Sequence, residues 1–114
     1  MGKIINMRTN EIILDDLQTA DTFLTRFRGL MGVKAIAKNM GLRIAPCNSV
    51  HCFFMRFPID VIFLDKQNQV IHIQKNMKPG SISPIIKKAK SVIEANADTL
   101  SNVLELGDKL AFYD

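Results

Sequence analysis

The sequence has no tryptophan, one tyrosine and only two cysteines among its 114 residues. With Tyr113 as the sole tyrosine, stacking platforms for bases or sugars are scarce, and no RNA-recognition aromatic signature is present. No apolar run reaches the ~18 residues that a spanning helix requires, so no membrane partner is expected. A Gly-rich phosphate loop, a Gly-x-Ser-x-Gly nucleophile elbow and a His-Glu-x-x-His pair are all missing. Acids are missing from one long stretch: residues 66–93 hold six lysines (Lys66, Lys75, Lys78, Lys87, Lys88, Lys90) and no Asp or Glu. Such a stretch attracts anions, but it also reads as a solvated edge whose lysines discourage strand-to-strand association. It contains no Arg to read guanine edges, so nucleic acid is not an expected partner.

What is present is ordinary globular material. Hydrophobic residues make up 47% and charged residues 23%, which excludes disorder, collagen and coiled coil. The length suits a single domain over residues 1–114, large enough to bury one core without staples. Fifteen Lys and Arg against eleven Asp and Glu give a net charge of +4, a mild excess that serves solubility. If the chain between Cys47 and Cys52 is extended, five steps of ~3.3 Å hold their Cα atoms about 16 Å apart, beyond disulfide reach. Two unpaired thiols suit a reducing cytosol. Residues 1–14 carry Lys3, Arg8 and Glu11 and lack the apolar core of a signal peptide, so the expected location is cytoplasmic.

Hydrophobic periodicity predicts one helix, over about residues 19–31. Thr19 caps it, Ala20, Phe23, Leu24, Phe27, Leu30 and Met31 form one apolar stripe, and Gly29 or Gly32 supplies a left-handed stop. The remaining signals are mostly strands. Residues 3–8 and 11–14 read as a hairpin turning at Thr9-Asn10. Further strands are expected at 41–45, 49–55, 59–64, 70–74, 91–95 and 109–113, with a loop over 77–84 and a helical turn within 97–104. The unbroken Val61-Ile62-Phe63-Leu64 marks a central strand covered on both faces. The pattern predicts a mainly β, single-domain antiparallel β-sandwich or barrel-like fold with one or two short helices. An α+β layout with 81–97 helical is the alternative, because Ile85, Ile86, Ala89 and Val92 also have helical spacing.

Several segments carry a family likeness. Arg28-Gly29-Leu30-Met31-Gly32, the run from Val50 through Arg56-Phe57-Pro58-Ile59-Asp60 to Asp65, then Ser91-Val92-Ile93-Glu94-Ala95 and Gly107-Asp108-Lys109-Leu110 follow in order. Together they resemble the family known as domain of unknown function 192. The resemblance implies a compact, mostly antiparallel β-sandwich or barrel-like fold and no established activity. Many members carry an aromatic after a loop proline where this chain has Pro79-Gly80, so an aromatic lid over a ligand is not expected. The family's later turn glycine is also replaced around residues 95–98, which implies a different backbone there.

Chemistry-bearing residues gather around Pro46 and Pro58. Cys47, His51, Arg56 and Asp60 offer a thiol, an imidazole, a guanidinium and a carboxylate within fourteen residues. On a regular strand Cys47 and His51 share a face but stand about 13 Å apart, so direct contact requires a turn within Pro46-Cys47-Asn48-Ser49. The bland alternative makes Cys47 a small buried hydrophobe and His51 a framework residue. Arg56 and Asp60 flank Phe57-Pro58-Ile59, either as an ion pair fixing a corner or as an anion-binding fork held in register. Glu94, isolated among apolar neighbours, reads as a partner for some basic group, and Asp108 after Gly107 as turn chemistry. Cys47, His51, Cys52 and His72 lack zinc-site spacing, so no metal and no cofactor is expected.

These residues lead to a small non-enzymatic binding module. Its expected pocket lies near His51, Arg56 and Asp60, with Cys47 beside it, and takes an anionic small molecule or a peptide end. The alternative is a hydrolase or transferase with Cys47 as nucleophile and His51 as base. The oligomeric state is not legible.

Overall fold

The computed structural model describes residues 2–20, 29–52 and 55–114. Within them the chain forms strands β1 (Gly2–Asn6), β2 (Glu11–Ala20), β3 (Met40–Ile44), β4 (Ile59–Leu64), β5 (Val70–Met77) and β6 (Ser91–Asn96), then a four-residue helix α1 (Leu100–Val103) and β7 (Leu110–Tyr113). All seven strands join one sheet in the order β5-β4-β6-β3-β2-β1-β7. Every neighbouring pair is antiparallel except β2 and β3, which run parallel with Leu17 opposite Gly41 and Ala20 opposite Ile44.

The sheet curls into a half-barrel, so its two edges approach each other. Residue Gln69, just before β5, bridges Lys109, just before β7. Val70 N–H donates to the Asp108 carbonyl (2.7 Å) and Leu110 N–H to the Asn68 carbonyl (3.0 Å), joining the edges at one end. Gly41 of β3 lies close to Leu14 of β2 and Glu94 of β6. A Cβ there would lie 2.5 Å from Leu14 Cδ1 and 3.2 Å from the Glu94 carbonyl, so only glycine fits without displacing its neighbours.

Alternation along the strands builds two cores, one on each face of the sheet. One gathers Ile4, Leu14, Leu17, Ile62, Leu64, Val70, Ile93, Ala95 and Leu110 with Leu100 and Leu104 of the α1 region. The other gathers Leu42, Ile44, Ile59, Val61, Phe63, Met77 and Val92 beneath the connecting segments that carry Leu30, Val50, Cys52, Met55 and Ala89. β4 is buried at all six positions, as its unbroken apolar run required.

Two expected elements differ. Thr19 and Ala20 do not open a helix: they end β2, paired with Arg43 and Ile44. Gly29 and Gly32 do take left-handed conformations (φ 49° and 77°), but in a turn, and residues 21–28 of the expected helix lie outside the described residues. Of the expected strand 49–55, the described residues 49–52 and 55 do not join the sheet. Val50 and Cys52 pair only locally with the 80–83 loop, through Ser83 N–H to the Val50 carbonyl and Cys52 N–H to the Ser81 carbonyl. A turn then forms as Met55 N–H bonds back to the Cys52 carbonyl, which ends the extended run. The α+β alternative is excluded, because Ser91–Asn96 is strand β6 between β4 and β3.

Candidate functional site

A small cavity opens on the face of the sheet covered by the connections. Its volume is about 50 Å³, and its walls include Gly29, Ile44, Cys47, His51, Met55 and Glu94. Glu94 forms its polar floor. It stands on β6 between Leu42 of β3 and Val61 of β4, so its sheet neighbours offer only hydrocarbon. The side chain is 4% exposed, and among the described residues it has no hydrogen-bond or ion-pair partner. Burial alone pushes its carboxyl up to about 7, so the group is close to half-protonated at neutral pH. Gly29 packs over it: a Cβ at that position would lie 3.6 Å from Glu94 Oε1.

Cys47 and His51 reach the same cavity from the segment after β3. Cys47 is half-buried, and its Sγ–H donates to the Ser49 carbonyl at 3.1 Å. His51 is half-buried and bridges Ile82 across the loop. Cys52 is fully buried beneath them. Burial raises its thiol above the ordinary range, and the charge of Glu94 adds to the effect. Neither cysteine forms a disulfide.

Arg56 and Asp60 stand elsewhere. Arg56 is exposed, lines none of this cavity, and forms no ion pair among the described residues. Asp60 is fully buried opposite Ala95, on the other face of the sheet from Glu94. Its Oδ1 accepts Asn76 N–H (2.9 Å), and its Oδ2 accepts Thr99 N–H (3.1 Å) and Ser101 N–H (3.0 Å). Burial opposes its ionisation, but the donors from Ser101 and Asn76 outweigh that effect and hold the carboxyl below its ordinary range. Asp60 therefore caps α1 and ties it to β5. The structure thus unites two of the four expected site residues, Cys47 and His51, and joins them to Glu94.

Glu94 had a signal in the sequence, an isolated carboxylate in Val92-Ile93-Glu94-Ala95, but its expected basic partner is absent among the described residues. Asp108 does more than shape a turn. It accepts Arg8 Nε at 2.6 Å, Asn6 Nδ2 at 3.0 Å and Glu105 N–H at 2.8 Å, fastening the β1–β2 turn to the approach of β7. No three His, Cys, Asp or Glu side chains among the described residues are grouped to hold a metal ion.

A curled, mainly β sheet with, among the described residues, one short helix and a small carboxyl-floored cavity defines the class of protein. The model of the DUF192 family, described as "Uncharacterized ACR", matches residues 4–112, and the chain belongs to that family. It is 33% identical over 115 residues to a UPF0127 protein of Thermococcus kodakarensis, covering 96% of this chain and 72% of that one. A UPF0127 protein of Pyrococcus horikoshii is 32% identical, covering 96% of this chain and 98% of its own length. The fold recurs in a crystal structure of a protein of unknown function from Novosphingobium aromaticivorans, with a TM-score of 0.83 at 19% identity over 96% of this chain and 82% of that one. A putative transcription regulator from Sinorhizobium meliloti gives 0.80 at 22% identity, over 97% of this chain and 91% of that one.

Proposed function

We propose that this protein is a small binding module whose ligand places a hydrogen-bond-donating head against Glu94, in the cavity walled by Cys47 and His51. One observation carries the reading: a buried carboxyl without a partner among the described residues faces a cavity. An unpaired buried acceptor is costly, and a donor entering the cavity relieves that cost. About 50 Å³ admits a head of one or two heavy atoms, against the ~30 Å³ share of one liquid water. A primary amine or the amino end of a peptide meets both demands. The anionic ligand expected from Arg56 has less support, since Arg56 stands outside the cavity and the oxygens of Asp60 are already taken by backbone donors. A reducing, cytoplasmic setting belongs to the proposal, supported by two cysteines that form no disulfide.

The test is thermal shift with methylammonium and short amines at ~10 mM, where a ligand with a millimolar dissociation constant adds about 1.4 kcal/mol. Stabilisation of the native protein that disappears in Glu94→Gln is the expected result. No amine acting, or equal action on Glu94→Gln, sinks the reading.

A second reading rests on Cys47 and His51 walling one cavity: Cys47 as nucleophile with His51 as base. Its difficulty is the Cys47 thiol itself, which as a thiolate would lose its donation to the Ser49 carbonyl and face that oxygen instead. Iodoacetamide labelling decides. Fast labelling of Cys47 near neutral pH that slows in His51→Ala would establish the enzyme reading, and labelling at an ordinary thiol's rate would remove it.

A further inference from the structure

A second concavity lies away from the Glu94 cavity, where the β4–β5 turn meets the segment entering β6. Its volume is about 380 Å³, and Asp65, Lys66, Gln67, Lys87, Lys88 and Lys90 line it. The two segments are held together because Lys90 N–H donates to the Leu64 carbonyl at 2.8 Å, and Leu64 pairs with Ser91 in the sheet. The turn is fixed from within. Asp65 Oδ1 accepts both Gln67 N–H and Gln69 N–H at 2.9 Å, and Asn68, at φ 61°, donates its N–H to the Asp65 carbonyl. The four lysines are exposed and form no ion pair among the described residues. No acid occurs between Asp65 and Glu94 to neutralise them. Four ammonium groups against one carboxylate leave the basin with three net positive charges.

We propose that this basin is a binding site for a compact oligophosphate, either inorganic or the phosphate chain of a nucleotide. The volume lies within the ~300–1,000 Å³ range of small-molecule clefts. Lysine binds phosphate as a point charge, whereas planar carboxylate recognition favours the arginine fork, and among the described residues the basin holds four lysines and no arginine. Three net charges match a chain of about three phosphates better than a single one. Among the described residues no aromatic side chain lines the basin, so it reads the phosphate chain and not a base. Converging on one concavity, the lysines favour a compact ligand over an extended strand.

The experiment is isothermal titration calorimetry with tripolyphosphate at about 0.15 M ionic strength, with orthophosphate, ATP and a single-stranded oligonucleotide as further arms. One-to-one binding of tripolyphosphate is expected, about tenfold or more tighter than orthophosphate, with ATP equal to it within about threefold. Lys87→Gln with Lys88→Gln should weaken it by about tenfold. Lys34→Gln with Lys38→Gln removes the same charge at exposed positions outside the basin and should change it less than about twofold. The proposal is overturned by no binding at ~1 mM, by more than one ligand per chain, by equal losses in the two double variants, or by an oligonucleotide that binds more tightly than tripolyphosphate.

Discussion

Burying Glu94 between Leu42 and Val61 couples the stability of the fold to pH. In the unfolded chain this carboxyl ionises near its ordinary value of 4.5, but in the folded chain it does so at about 7. Between those values the folded state holds the extra proton, so stability is full below about 4.5, declines as pH rises through 7, and levels off above. At 1.36 kcal/mol per pH unit the loss is on the order of 3 kcal/mol. Glu94→Gln abolishes the ionisation, so the variant should match the native protein at acidic pH and exceed it at alkaline pH. Urea denaturation at pH values below about 4.5 and above about 7 reads this difference, and parallel pH profiles for the two proteins would refute it. Half of the site was legible in the sequence: Cys47 and His51 are close along the chain. Glu94 was visible as an oddity but not as a site residue. Its surroundings come from β3, β4 and the Gly29 turn, which only the folded sheet brings together.

At the scale of elements, one side chain holds three of them together. Asp60 on β4 accepts a backbone N–H from Asn76 of β5 and two from the start of α1. Removing an acceptor strands its donors, at about 1–3 kcal/mol for each buried group. Asp60→Ala should therefore cost about 3 kcal/mol or more, with Asp60→Asn costing less because one amide oxygen remains to accept. Urea midpoints of the two variants check the order, and a loss under ~1 kcal/mol for Asp60→Ala would show that α1 docks on apolar contacts alone. Its carboxyl lies below the ordinary range, so this stability is present above that range and fades as pH falls through the native value. The elements with strong local signals were legible. The β1–β2 turn at Asn10 (φ 60°), the doubly buried β4 and the β6 and β7 strands all follow from periodicity and turn chemistry. Residues 49–55 have strand composition, but Met55 N–H bonds back to the Cys52 carbonyl instead of joining the sheet. Thr19 and Ala20 have capping composition, but their backbone pairs with β3. The contact that places Thr19 and Ala20 is not local in sequence, which is why propensity misplaced them.

Across the whole molecule, charge is concentrated rather than spread. The net charge is +4, and the lysine basin alone carries three of it, so the remaining surface is close to neutral. Nucleic-acid binding needs basic groups along a track that follows successive phosphates, often with aromatics for bases to stack on. The basin offers one concave cluster, and the chain has no tryptophan and a single tyrosine, at residue 113. Neutralising three or four phosphates gives a log–log salt slope of about −3 and weak, sequence-blind affinity that fades at physiological ionic strength. A gel-shift titration at about 0.15 M salt should accordingly show no complex at low micromolar protein, with either duplex DNA or single-stranded RNA. A tight complex that disappears with Lys87→Gln and Lys88→Gln would instead show that the lysines line an extended phosphate track, and the compact-ligand geometry of the basin would be wrong.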